Sequence, residues 1–231
     1  MKLYFIHGAG STAQVWDKQI EHFPGSEAVS LPGHPVGPGM STVPDYANWL
    51  RGQIDPQGER VPVVVGHSMG GGIAIQYALQ FPERLKALVL VSTGARLRVS
   101  PQIFGELEKG VEAATDFVLR WAFSKHAAPG MIANARLERL KVSAETVRGD
   151  FKSCDSFDAT QELGKIAVPT LILCGTDDVM TPTKYAGFLH SHIPGSVLRI
   201  IPDAGHMVMI EQPEAVDSAI KEFLTSVGAS S

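Results

Sequence analysis

The chain has 231 residues, 44% of them hydrophobic and 19% charged, with a formal net charge of −4. That composition supplies enough apolar material for one sizeable packed domain and is too apolar for a disordered chain. With no basic run, it excludes nucleic acid and an acidic membrane surface as expected partners. The opening MKLYFIHG carries only four consecutive apolar residues, short of a signal-peptide core or a membrane span, so a soluble cytoplasmic protein is expected. Cys154 and Cys174 make neither a metal spacing nor a disulfide framework, and no metal site is expected.

Lys2 to Ile6 reads as a buried strand that runs into the loop His7-Gly8-Ala9-Gly10. Ser11 to Phe23 carries Val15, Trp16, Ile20 and Phe23 at helical intervals, and Ala28 to Leu31 reads as a second short strand. Val43 to Ile54 is helical, with Tyr46, Ala47, Leu50 and Ile54 on one face. Val61 to Val65 then leads into Gly66-His67-Ser68-Met69-Gly70, and a helix is expected from there to about Gln80. Leu85 to Ser92 and Val168 to Cys174 are further apolar strands. A helix from Thr183 to Ser191, a strand from Ser196 to Ile201 and a helix from Pro213 to Val227 complete the pattern, with 228–231 as a frayed tail. Strands that are apolar throughout and alternate with amphipathic helices indicate an α/β fold. They predict a mostly parallel, doubly wound sheet of about six strands covered on both faces.

The segment 94–154 breaks this alternation. It contains no strand run and has several helix-forming stretches with scattered aromatics. It reads as a helical lid inserted into a core made of 1–93 and 155–231, with Phe104, Phe117, Trp121 and Phe123 as candidate substrate-binding residues.

Gly66-His67-Ser68-Met69-Gly70 fits the G-x-S-x-G nucleophile elbow, because a strand precedes it and a helix follows. At such a turn the serine backbone is strained and its hydroxyl is pushed outward, while the flanking residues must lack bulk. The segment has neither the Lys-Ser/Thr pair of a P-loop nor the glycine order of a dinucleotide site. A serine hydroxyl needs a base, and that base needs an orienting acid. His206, in Pro202-Asp203-Ala204-Gly205-His206 just after a strand, is the best base. Asp177 and Asp178, in the turn after the strand ending at Cys174, are the two candidate acids. The tetrahedral intermediate needs N–H donors, for which Met69 at the helix start and Ala9 in the first loop are the candidates.

HGAG after the first strand, GHSMGG at the elbow, GTDDVMTP after the late strand and DAGHMVMIEQPE near the end occur in the order found in the α/β-hydrolase superfamily, and nearly the whole chain resembles it. The resemblance is to small serine esterases and lipase-like members. It implies Ser68 as nucleophile, His206 as general base and acid, Asp178 rather than Asp177 as the orienting acid, a lid over 94–154 and no cofactor. Members often carry two more antiparallel strands before the HG loop, so the N-terminal edge of the sheet should be shortened here. The reaction expected is hydrolysis of a small to medium carboxylic ester through an acyl-enzyme, with activity falling below about pH 6–7, where an ordinary histidine protonates. Carbon–carbon bond hydrolases, lactonases and perhydrolases share the triad, and a non-catalytic ligand receptor is the alternative of another class.

Overall fold

A computed structural model of the chain describes residues 2–54 and 61–229. Among these residues, six strands form one sheet: β1 (Leu3–Ile6), β2 (Glu27–Val29), β3 (Val63–His67), β4 (Ala87–Val91), β5 (Thr170–Gly175) and β6 (Val197–Ile201). Their order is β2-β1-β3-β4-β5-β6, and every pairing is parallel. Successive strand residues serve opposite faces. Tyr4, Ile6, Val64, Leu88 and Leu90 belong to one apolar core, whereas Leu3, Phe5, Val65, Val89 and Leu173 belong to the other. This two-sided burial explains why the strands read as continuous apolar runs. The two edge strands are the exceptions: Glu27 is exposed on β2, and Ile200 is 40% exposed on β6.

The helices of the core are α1 (Asp17–His22), α2 (Val43–Ile54) and α3 (Met69–Gln80). Between β4 and β5 lie α4 (Pro101–Lys109), α5 (Val111–Ala122), α6 (Pro129–Arg139) and α7 (Ala144–Ser156). The chain closes with α8 (Thr183–His192), the short α9 (Val208–Glu211) and α10 (Pro213–Ala229). None of these helices is long and apolar enough to cross a membrane.

Strands β3, β4 and β5 each start two residues later than expected, and local expectations also change at three other places. The helix expected over 11–23 is split, because a 3-10 turn at Ala13–Trp16 precedes α1 and drops Trp16 into the core, wholly buried. The second strand starts and ends earlier than expected, since the Leu31 N–H leaves the ladder and donates to His7 Nε2 at 3.2 Å. The expected tail at 228–231 begins as helix, with α10 running through Ala229, while 230–231 lie outside the described residues.

The strand order reverses beside β1, which pairs with β2 on one side and β3 on the other. In open parallel sheets the crevice beyond the strand carboxyl ends at such a reversal is the usual ligand site. The loops leaving β1 and β3 carry His7-Gly8-Ala9-Gly10 and Ser68. The segment between β4 and β5 has its own small core, including Ile103, Leu107, Val118 and Phe151. Its last helix continues to Ser156, two residues beyond the boundary read from sequence, and an Arg96–Asp158 antiparallel bridge closes its base.

Candidate active site

Ser68 separates β3 from α3 with φ 53° and ψ −118°, a conformation that L-residues rarely adopt. Holding a serine there costs about 1–3 kcal/mol, which the packing around it must offset. The packing is tight: a Cβ on Gly66 would run into the Gly70 carbonyl, and one on Gly70 into the backbone oxygen of Ile6. The Ser68 carbonyl accepts the Thr93 hydroxyl at 2.7 Å, which ties the turn to the end of β4. Met69 opens α3, so its N–H belongs to the first helical turn, where no intrahelical acceptor exists.

The loop after β1 approaches the serine closely. A Cβ on Gly8 would lie 3.0 Å from Ser68 Cβ and 3.0 Å from His67 Nδ1. Ala9 and Ser68, both half-buried, line the same cavity as His206.

The turn after β5 separates the two candidate acids. Asp178 is 3% exposed, and its Oδ2 faces His206 Nδ1 at 3.0 Å. Its carboxylate also accepts the backbone N–H groups of Met180 (2.9 Å) and Thr181 (2.8 Å) and the Thr181 hydroxyl (2.9 Å). Burial alone would raise its pKa. The facing His206 ring and these hydrogen bonds outweigh that effect and hold it at about 2. Asp177 instead accepts the Thr176 hydroxyl at 3.1 Å. A carboxylate only accepts, so the proton of this bond sits on His206 Nδ1, and in the neutral ring that tautomer places the lone pair on Nε2.

Other groups fix the loop bearing His206. The His67 ring donates from Nε2 to the His206 carbonyl at 3.0 Å. Burial, followed by the neighbouring His206 ring, pushes the His67 pKa well below the usual histidine value, so it stays neutral. Glu211 accepts the Gly205 N–H and the Ser124 N–H, each at 2.9 Å, and the Met207 N–H donates to the Ala122 carbonyl at 3.1 Å. The end of α5 is thereby attached to the His206 loop. Sequence reasoning missed Thr181, His67 and Glu211, although all three stand inside the quoted motifs.

The cavity measures about 380 Å³ and lies between the sheet edge and the segment above it. Its apolar wall includes Leu97, Ile103, Phe117, Val118, Phe151 and Met180. Trp121, 49% exposed, stands at its rim one helical turn after Phe117. Phe104 and Phe123 do not line it. Phe104 packs half-buried against the small core of the helical segment, whereas its neighbour Ile103 is buried in that core and also lines the cavity. Phe123 follows the end of α5 in extended backbone and joins the sheet core at 8% exposure. Sequence reasoning also missed Tyr185 and Arg98, which reach the cavity from outside any motif. Among the described residues, no group of three His, Cys, Asp or Glu side chains is arranged to hold a metal ion.

The model of the Alpha/beta hydrolase family matches residues 3–219. A solved thermophilic esterase is 37% identical, covering 98% of this chain and 90% of its own, with a TM-score of 0.86. A second thermophilic esterase, from Thermogutta terrifontis and solved with malate bound, is 28% identical over 98% of this chain and 90% of its own, with a TM-score of 0.88. The pimeloyl-acyl-carrier-protein methyl ester esterase of Neisseria meningitidis is 27% identical over 98% of this chain and 94% of its own.

Proposed function

The chain belongs to the α/β-hydrolase family, and from that membership we propose that it is a serine hydrolase cleaving a small to medium carboxylic ester through an acyl-enzyme. The observation that carries the reading is the buried Asp178–His206 hydrogen bond opening onto the same cavity as Ser68 and Ala9. Likeness to esterases across nearly the full chain supports the reaction class.

In this mechanism His206 Nε2 takes the Ser68 hydroxyl proton as the oxygen attacks the ester carbonyl. The N–H groups of Ala9 and Met69 stabilise the oxyanion. His206 then protonates the leaving alcohol, and a water activated by the same nitrogen releases the acid. Asp178 holds the ring tautomer and offsets the positive charge that forms on it. No metal or prosthetic group takes part in these steps. The apolar wall fits an apolar acyl or alcohol part, and the helical segment 94–156 acts as the lid that supplies it.

The test is a panel of p-nitrophenyl esters of increasing acyl length with wild type and Ser68→Ala, together with fluorophosphonate labelling. Turnover and a label on Ser68, both lost in Ser68→Ala, support the proposal. A folded wild type that neither turns over esters nor takes the label overturns it in favour of a ligand receptor. Labelling with turnover confined to lactones or carbon–carbon substrates overturns the ester assignment alone.

A further inference from the structure

We infer that Arg139 and Asp150, from the helical segment, are positioning residues that set the direction of the Ala9 N–H beside Ser68; the inference rests on the serine-hydrolase reading. The peptide between Ala9 and Gly10 is gripped at both ends. Its oxygen accepts Arg139 Nη1 at 3.0 Å, and its N–H donates to Asp150 Oδ2 at 2.7 Å. Arg139 comes from the end of α6 and Asp150 from the middle of α7. Both are remote from β1 in sequence, so only the packed segment brings them to this loop.

The preceding peptide, which bears the Ala9 N–H, is held from the core side. The Gly8 carbonyl accepts His7 Nδ1 at 3.0 Å. His7 Nε2 accepts the Leu31 N–H, so the ring proton must sit on Nδ1. Burial, followed by the nearby His34 ring, lowers the His7 pKa to about 3 and keeps the ring neutral. In a trans peptide the N–H points opposite to its carbonyl, so a Gly8 oxygen turned toward His7 aims the Ala9 N–H away from it. Only the two torsions of Ala9 separate this plane from the one held by Arg139 and Asp150, and an alanine has few allowed values. Gly10 completes the turn at φ 56°, and a Cβ there would lie 3.0 Å from Arg139 Nη2.

The clamp is built at a cost. Arg139 is 8% exposed, its Nε has no partner, and burial lowers its pKa to about 10, so it is still charged at neutral pH. Asp150 is fully buried, and it also accepts Tyr46 Oη at 2.9 Å and His34 Nε2 at 2.8 Å. A buried guanidinium with one nitrogen unpaired is a poor way to gain stability. It is a good way to stop a peptide from rotating. The helical segment thus both covers the cavity and completes the oxyanion donor.

Arg139→Met, Arg139→Lys and Asp150→Asn are compared with wild type on p-nitrophenyl butyrate, with competent sites counted by fluorophosphonate titration. Arg139→Met is expected to lose on the order of 10- to 100-fold in kcat per titrated site, less than outright removal of an oxyanion donor, with KM within about twofold. A trifluoromethyl ketone, which forms the tetrahedral adduct, should weaken by the same factor while butyrate does not. Arg139→Lys should recover part of both losses. An unchanged kcat per site in Arg139→Met overturns the clamp, as does equal weakening of the ketone and butyrate. Should Asp150→Asn fail to fold, Arg139→Met still decides the matter. A wild type without turnover or label overturns the hydrolase reading and the clamp together; a competent wild type with an indifferent Arg139→Met overturns the clamp alone.

Discussion

The His67 ring donates from Nε2 to the backbone carbonyl of His206 at 3.0 Å, so the residue preceding Ser68 holds the strand-end loop that carries the histidine. The two rings lie 4.7 Å apart between centroids. His67→Leu should leave the buried His206 carbonyl unpaired and cost about 1–3 kcal/mol of stability. Urea denaturation measures this, and a change within experimental scatter of wild type would remove the bond from the account.

Acid stability follows from Asp178. Its folded-state pKa is depressed from 3.8 to about 2, so its ionisation stabilises the fold fully above pH about 4. That contribution, on the order of 2 kcal/mol, is lost as pH falls from 4 toward 2. Asp178→Asn should flatten this part of the stability-versus-pH curve. Parallel curves for the two proteins over that range would contradict the assignment.

The elbow conformation makes a separate forecast. Glycine tolerates φ 53° far better than a residue with a Cβ. Ser68→Gly should be more stable than Ser68→Ala by about 1 kcal/mol, although the glycine loses more chain entropy on folding. Thermal melts of the two inactive variants settle this, and an alanine variant that melts higher would show that the backbone there is unstrained.

The aromatics of the helical segment should separate by role. Trp121→Ala, at the cavity rim, is expected to raise KM for long-chain esters by about fivefold while leaving acetate esters unchanged. Phe123→Ala, in the sheet core, should cost about 3–5 kcal/mol and leave the chain-length profile intact. A chain-length shift in Phe123→Ala with normal stability would reverse these placements.

Local chemistry determined a good deal from sequence alone. The buried strands were legible because a two-sided sheet demands unbroken apolar runs. The elbow was legible because only glycine fits where β3 and α3 nearly touch. Position after a strand marked the Asp178 turn and the His206 loop, since loops at strand carboxyl ends converge. Periodicity on α4 and α5 did not tell which aromatic faces the cavity. Phe104 yields the cavity wall to its neighbour Ile103, and Phe123 leaves the end of α5 for the sheet core; both outcomes depend on how the segment sits on the sheet. The residues alone left Asp177 and Asp178 open and the family resemblance chose Asp178; the tertiary structure supplied the contact that separates them, since His206 lies on the Asp178 side of the turn. The tertiary structure alone brought Arg139 and Asp150 to the peptide after Ala9. Sequence encodes what a residue needs within a few positions of itself, whereas contacts across more than a hundred residues exist only once packing has chosen one arrangement of the elements.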